Sequence, residues 1–235
     1  MDPIHPGRGR RDAIIAAAIA LVAVTAIAVT AVVAVTRSRA GAAEPRDADR
    51  PVAPGLLSMT LTADEVNAMM GTSDIAPKAA FGRLAEDKLD VQPADCRTVF
   101  TPALYENYAG TNYLAVLGRD YQEPSVRYFW LRMAVFAMPS PDTARGFLAE
   151  SAQWWQACRG APFKYSADPA TWSIQDLSVD DDKLVTAFHA EGTVTNCQRA
   201  LARVEAFVID IGVCTDRRTR GADLMASKLM AKAGS

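Results

Sequence analysis

Hydrophobic positions along this chain change their period several times, and each change marks an element. Positions 13–36 form an apolar run with no charged residue. As a helix these 24 residues span roughly 36 Å at 1.5 Å per residue, enough for a bilayer core, which needs about 20 residues. Positions 41–54, GAAEPRDADRPVAP, lose all periodicity and read as a tether. Thr62 then offers an N-cap and Glu65 the matching third position of a capping box. Gly71, after Met69-Met70, stops that helix. Positions 72–112 show no clear period and are broken by Pro77, Pro93 and Pro102.

Positions 113–121 and 127–138 are rich in aromatic and β-branched residues and predict strands. In the second, Phe129, Leu131, Met133, Val135 and Ala137 make one apolar face. Tyr128, Trp130, Arg132 and Phe136 make a mixed one, which predicts a central strand. Ser140-Pro141 is a strong helix start, with Ser as N-cap and Pro at the first helical position. This helix runs to Cys158 and stops at Gly160. At 100° per residue, Ala144, Phe147, Leu148, Ser151, Trp154, Trp155 and Cys158 share one arc of about 120°. Asp142, Arg145, Glu150, Gln153 and Gln156 fall outside it. Both tryptophans are therefore expected in the core.

Positions 172–179 and 183–191 predict a hairpin around Asp180-Asp181-Asp182, and 197–203 and 207–214 a second one. A two-residue turn at Glu205-Ala206 puts Cys197 opposite Cys214. Residues opposed in that way have Cα atoms about 4.5 Å apart, within disulfide reach. That register favours a Cys197–Cys214 bridge and leaves Cys96 with Cys158. A last helix covers 221–233, with Ala222, Met225, Ala226, Leu229 and Ala233 at helical spacing. The fold class expected is α+β: an antiparallel sheet of five or six strands with packed helices and two disulfides, preceded by one transmembrane helix. The expected domains are a cytoplasmic tail at 1–12, a transmembrane helix at 13–36, a linker at 37–54 and an extracytoplasmic domain at 55–235.

Charge orients this arrangement. Arg8, Arg10 and Arg11 precede the apolar run, and Arg37 and Arg39 follow it. The short basic tail favours an N-terminus on the cytoplasmic side. Beyond position 40 there are 20 basic and 25 acidic residues, a surface that excludes nucleic acid as a partner. Ala40-Gly41-Ala42 resembles a signal-peptidase site, but the apolar run is longer than the ~7–15 residues of a signal core, so an uncleaved anchor is expected. All four cysteines follow the run, as disulfides in an exported domain require.

Catalytic chemistry finds no support. There is no G-x-S-x-G, S-x-x-K or H-E-x-x-H, and no glycine-rich loop, H-R-D or D-F-G of a kinase. The histidines, His5 and His189, are far apart and no C-x-x-C occurs, so no zinc site is expected. Three adjacent aspartates lack the alternating ligand spacing of a calcium loop and read as a solvated turn. No cofactor is expected, and His189 reads as structural. Tyr105, Tyr108, Trp130 and Arg132 are the candidates for a ligand pocket.

The order of motifs carries a resemblance. Asp95-Cys96 is followed by Leu104-Tyr105-Glu106-Asn107-Tyr108 and a strand. Then come a helix ending in W-x-x-C (Trp155 to Cys158), Cys197-Gln198-Arg199-Ala200-Leu201, and an apolar strand to Cys214. From Leu57 onward this resembles the extracellular sensor domain of the mycobacterial Ser/Thr kinase PknH, a domain that also occurs without a kinase. The resemblance implies an α+β domain with its first cysteine bridged to the second and its third to the fourth. It also implies a cleft for an unidentified ligand. The function expected is a membrane-anchored, extracytoplasmic, sensor-like domain. Its partner would be a small molecule, an envelope lipid or glycan, or an envelope protein. The alternative is an envelope adaptor that docks a protein partner without a small ligand.

Overall fold

The computed structural model describes residues 55–233, apart from Ala85, Asp87, Arg127 and Ala167. The expected tail, transmembrane helix and linker lie outside the described residues. Among those described, no helix is long and apolar enough to cross a membrane.

Helix α1 (Ala63–Met70) has the expected ends. The Thr62 side chain accepts from the Glu65 N–H, Glu65 accepts from the Thr62 N–H, and Gly71 closes the helix at φ 68°. Strands β1 (Ala76–Phe81) and β2 (Val91–Gln92) follow. A 3-10 turn (Ala94–Cys96) then leads into two one-turn helices, α2 (Arg97–Phe100) and α3 (Tyr105–Tyr108). Strands β3 (Ala115–Gln122) and β4 (Trp130–Ala137) precede the long helix α4 (Pro141–Cys158), capped by Ser140. Then come β5 (Phe163–Tyr165), β6 (Asp168–Val179), β7 (Lys183–Ala190), β8 (Asn196–Val204), β9 (Phe207–Thr215) and helix α5 (Gly221–Ala233).

All nine strands form one antiparallel sheet in the order β1-β3-β4-β9-β8-β7-β6-β5-β2. This corrects the expected five or six. The three additional strands, β1, β2 and β5, lie at or next to the two sheet edges. Edge strands bury little, so they need no apolar alternation, and β1 (APKAAF) is almost wholly exposed. Pro77 and the bulge at Lys78 blunt that edge against further pairing. Strand β4 is interior, between β3 and β9, as its apolar face requires.

The pleat sends alternate residues to two differently filled faces. One face shows Leu131, Met133, Val135, Ala200, Ala202, Ile209, Ile211 and Val213 to α1 and α5. Helix α5 returns Ala222, Met225, Ala226 and Leu229, all completely buried. Full burial of each large aliphatic side chain contributes about 1.5–3 kcal/mol. At the rim, Lys232 bridges Glu65 at 2.9 Å and Lys183 bridges Asp223 at 2.7 Å. The other face meets α2, α3 and α4, and carries Phe136, Phe188, Leu201, Val208 and Trp172.

Both disulfides belong to this second face. Cys197 pairs across β8–β9 with Cys214, with Cα atoms 4.0 Å apart. The turn between them is Glu205-Ala206, and Glu205 takes a positive φ of 49°. Cys96 is bridged to Cys158, Cα atoms 5.1 Å apart, which ties the 3-10 turn to the end of α4.

Candidate functional site

The face under α4 holds an ion pair where a sheet core is usually apolar. Alternation along β8 places Cys197, Arg199 and Leu201 on this face, and along β9 Val208, Asp210 and Cys214. Leu201 lies opposite Asp210, which makes Arg199 the diagonal neighbour of Asp210. Their side chains are 2% and 0% exposed. Arg199 Nε donates to Oδ1 at 3.0 Å and Nη2 to Oδ2 at 2.9 Å, a parallel fork.

The remaining polar groups of the pair are satisfied by the segment that crosses the sheet. Asp210 Oδ2 accepts the Ala103 N–H and the Tyr108 hydroxyl, each at 2.8 Å. Arg199 Nη1 donates to the Thr98 carbonyl, which also accepts Trp155 Nε1 at 3.3 Å. The guanidinium lies 5.3 Å from the Trp155 ring centroid. Burying two charges costs several kcal/mol per ion unless such partners offset it. One ion pair thereby pins α2, α3 and α4 to the sheet. Burial first, and the charge of Asp210 second, hold the Tyr108 hydroxyl well above its usual titration range, so it remains a donor. Its ring stacks on Phe136 with centroids 3.7 Å apart. The crossing is close: a Cβ on Gly212 would lie 2.9 Å from the Pro102 ring, so only glycine fits there.

Between α4 and the segment 94–112 lies a cleft of about 910 Å³. Thr143, Phe147, Glu150 and Trp154 form the helical wall. Their spacing of four, three and four residues draws one stripe along the helix. Asp95, Arg97, Glu106 and Asn107 form the opposite wall. Arg97 Nη1 and Glu106 Oε2 form an ion pair at 2.9 Å. Arg97 Nε and Asn107 Nδ2 are buried without a hydrogen-bond partner among the described residues. The Cys96–Cys158 bridge fastens the two walls at one end.

This geometry corrects the expectation for Trp154. Trp155 is completely buried, but Trp154 is 39% exposed and lines the cleft. The buried arc consists of Ala144, Leu148, Ser151, Ala152, Trp155 and Cys158. It is rotated by about 40° from the arc read off the sequence. Two contacts with the unpredicted segment set that roll: the bridge to Cys96 and the hydrogen bond from Trp155 to Thr98.

The four pocket candidates do not meet in one site. Trp130 and Arg132 line a second cleft of about 490 Å³, together with Phe100, Leu104 and Tyr165. Arg132 forks onto Asp120 at 2.7 and 3.1 Å and lies 5.4 Å from the Phe81 ring. Tyr105 is half-buried against the core, and Tyr108 is completely buried, so its role is positioning. His189 sits in β7 with Nδ1 3.2 Å from Ser173 Oγ. Asp182, in the aspartate turn, pairs with Arg203.

Arg199 and Asp210 were missed, although a signal existed. Asp210 is the lone charge of the apolar strand FVIDIGVC, and Arg199 lies in the middle of CQRALARV, well inside its second arginine, Arg203. The register that opposes Cys197 to Cys214 already puts the two charges on one face as diagonal neighbours.

Comparison with known proteins agrees with this architecture. A family model described as the PknH-like extracellular domain matches residues 51–232. Serine/threonine-protein kinase PknH of Mycobacterium tuberculosis is 31% identical over 194 residues, covering 80% of this chain and 31% of that protein. The Mycobacterium bovis PknH is 30% identical over 194 residues, covering 80% of this chain and 33% of its own. The chain thus matches about a third of the length of these curated relatives. The crystal structure of the extracellular domain of PknH from Mycobacterium tuberculosis superposes with a TM-score of 0.73 at 28% identity, covering 79% of this chain and 98% of that one. The kinship is to the extracellular part of those kinases, and it implies an extracytoplasmic location for the described domain. With its nine-stranded antiparallel sheet, its two disulfides and a match over residues 51–232, the chain belongs to the PknH-like extracellular domain family.

Proposed function

We propose that this protein is a membrane-anchored sensor-like module that binds a ligand in the cleft between α4 and the segment 94–112. The observation that carries this reading is the cleft itself. Its volume of about 910 Å³ lies within the ~300–1,000 Å³ range of small-molecule sites. Its two walls are held apart at a set distance by the Cys96–Cys158 bridge and by the Arg199–Asp210 pair beneath them. Prior rigidity lowers the ordering cost of binding. The module has no catalytic role in this reading. Positions 13–36 supply the anchor, with 1–12 cytoplasmic and 37–54 as the tether. A mature N-terminus at Ala43 would overturn the anchor.

Gly146 offers a direct test of the cleft. It lines the cavity, and a Cβ built there meets nothing within 4 Å. Gly146→Phe should fill the cleft without disturbing the core. Native mass spectrometry of the full chain, purified from its own envelope, should show an added mass. That mass should disappear in Gly146→Phe. A protein-sized adduct that survives the substitution would instead support the adaptor role.

A further inference from the structure

Resting on that cleft reading, we infer that the ligand carries a protonated amine. Arg97 and Arg199 are the cleft's two cations, and both are neutralised, Arg97 by Glu106 and Arg199 by Asp210. Its two remaining carboxylates are Asp95 and Glu150. Both are exposed, and neither forms an ion pair among the described residues. The cleft lining therefore carries two uncompensated negative charges.

The second observation is aromatic. Glu150 and Trp154 are four residues apart on α4, and therefore neighbours on the same helical stripe. Phe147 lies next to them on that stripe. Asp95 lines the cleft from the other wall. Its neighbour Cys96 is bridged to Cys158, one helical turn beyond Trp154. A part-exposed indole with a carboxylate one helical turn away attracts a cation through both the ring quadrupole and simple Coulomb attraction.

A basic peptide and an amino sugar share this chemistry.

The full chain in detergent micelles can be titrated with glucosamine and with N-acetyl-lysinamide, near pH 6, following saturation transfer and tryptophan fluorescence. N-acetylglucosamine and N-acetyl-norleucinamide are the neutral counterparts. At least one amine should bind about tenfold more tightly than its neutral counterpart. Which amine does so separates the sugar from the peptide source. Glu150→Gln and Asp95→Asn should each weaken amine binding about three- to fivefold and leave the neutral probes unchanged. Trp154→Ala should remove the fluorescence response, and raising the salt should weaken amine binding alone. Equal binding of the neutral probes overturns the amine assignment, as does binding of none of the four. Either result leaves the cleft reading to the retained-ligand experiment with Gly146→Phe, which does not depend on ligand charge.

Discussion

Under α1 and α5 the sheet offers mostly aliphatic side chains to aliphatic side chains, and the ion pairs lie at the rim. Under α4 it offers Arg199 and Asp210, both disulfides and the floor of a cleft. The first face is held by area, which is additive and tolerant of small shifts. The second is held by a few directional links, each of which also positions a wall of the cleft. One pleated sheet thus separates an aliphatic core from a cleft, because alternate residues of the same strands serve the two sides.

The largest loss of stability is expected for Asp210→Ala. It leaves the Arg199 guanidinium buried without its partner and orphans two donors, so a loss of about 3–5 kcal/mol is expected. Urea unfolding should show a lower midpoint with an unchanged slope. Converting Cys96 and Cys158 to serine comes next. The bridge closes a separation of 62 residues, and the chain-entropy account gives about 4 kcal/mol. That variant should also lose retained ligand, since the cleft walls are no longer tied together.

On the other face, Leu229→Ala should cost about 3 kcal/mol by leaving a cavity. It should leave ligand retention untouched, because no residue of that face lines the cleft. A loss of ligand there would mean that the faces are coupled rather than separate. The smallest effect is acidic. The Thr62 backbone N–H first, and Lys232 second, hold the Glu65 carboxyl below its ordinary value of 4.5. For Asp223, burial acts upward, but hydrogen bonds from Lys183 and Arg220 outweigh it and keep it below 3.8. Both folded values are depressed, so their contribution is present above the ordinary values and is lost as pH falls through the folded ones. Melting temperature should therefore drop slightly between about pH 5 and about pH 3, and less so in Glu65→Gln.

Much of the frame was legible in the order of residues. Six strands, three helices, the capping box at Thr62 and the Ser140 cap follow from local period and end chemistry, which act within a few residues. The register that opposes Cys197 to Cys214 follows from one turn length. The segment 72–112 was not legible. Its one-turn helices and two-residue strand bury too little to impose a period, and they are shaped by what they lie on. The cleft was illegible for the same reason, since that segment is one of its walls.

The residues of α4 show where local information ends. Its start at Pro141, its end at Cys158 and the existence of an apolar stripe were all determined by sequence, through capping and the 3.6-residue repeat. Its roll about its own axis was not. An arc of about 120° can be turned by tens of degrees at little local cost. The tertiary structure chose the angle that lets Cys158 reach Cys96 and Trp155 reach Thr98. That choice buries Trp155 and sends Trp154, its neighbour in sequence, to the cleft. Likewise, sequence placed Arg199 and Asp210 in apolar strands, but only the packed sheet, with Tyr108, Ala103 and Thr98 brought across it, supplied the partners that make burying them tolerable.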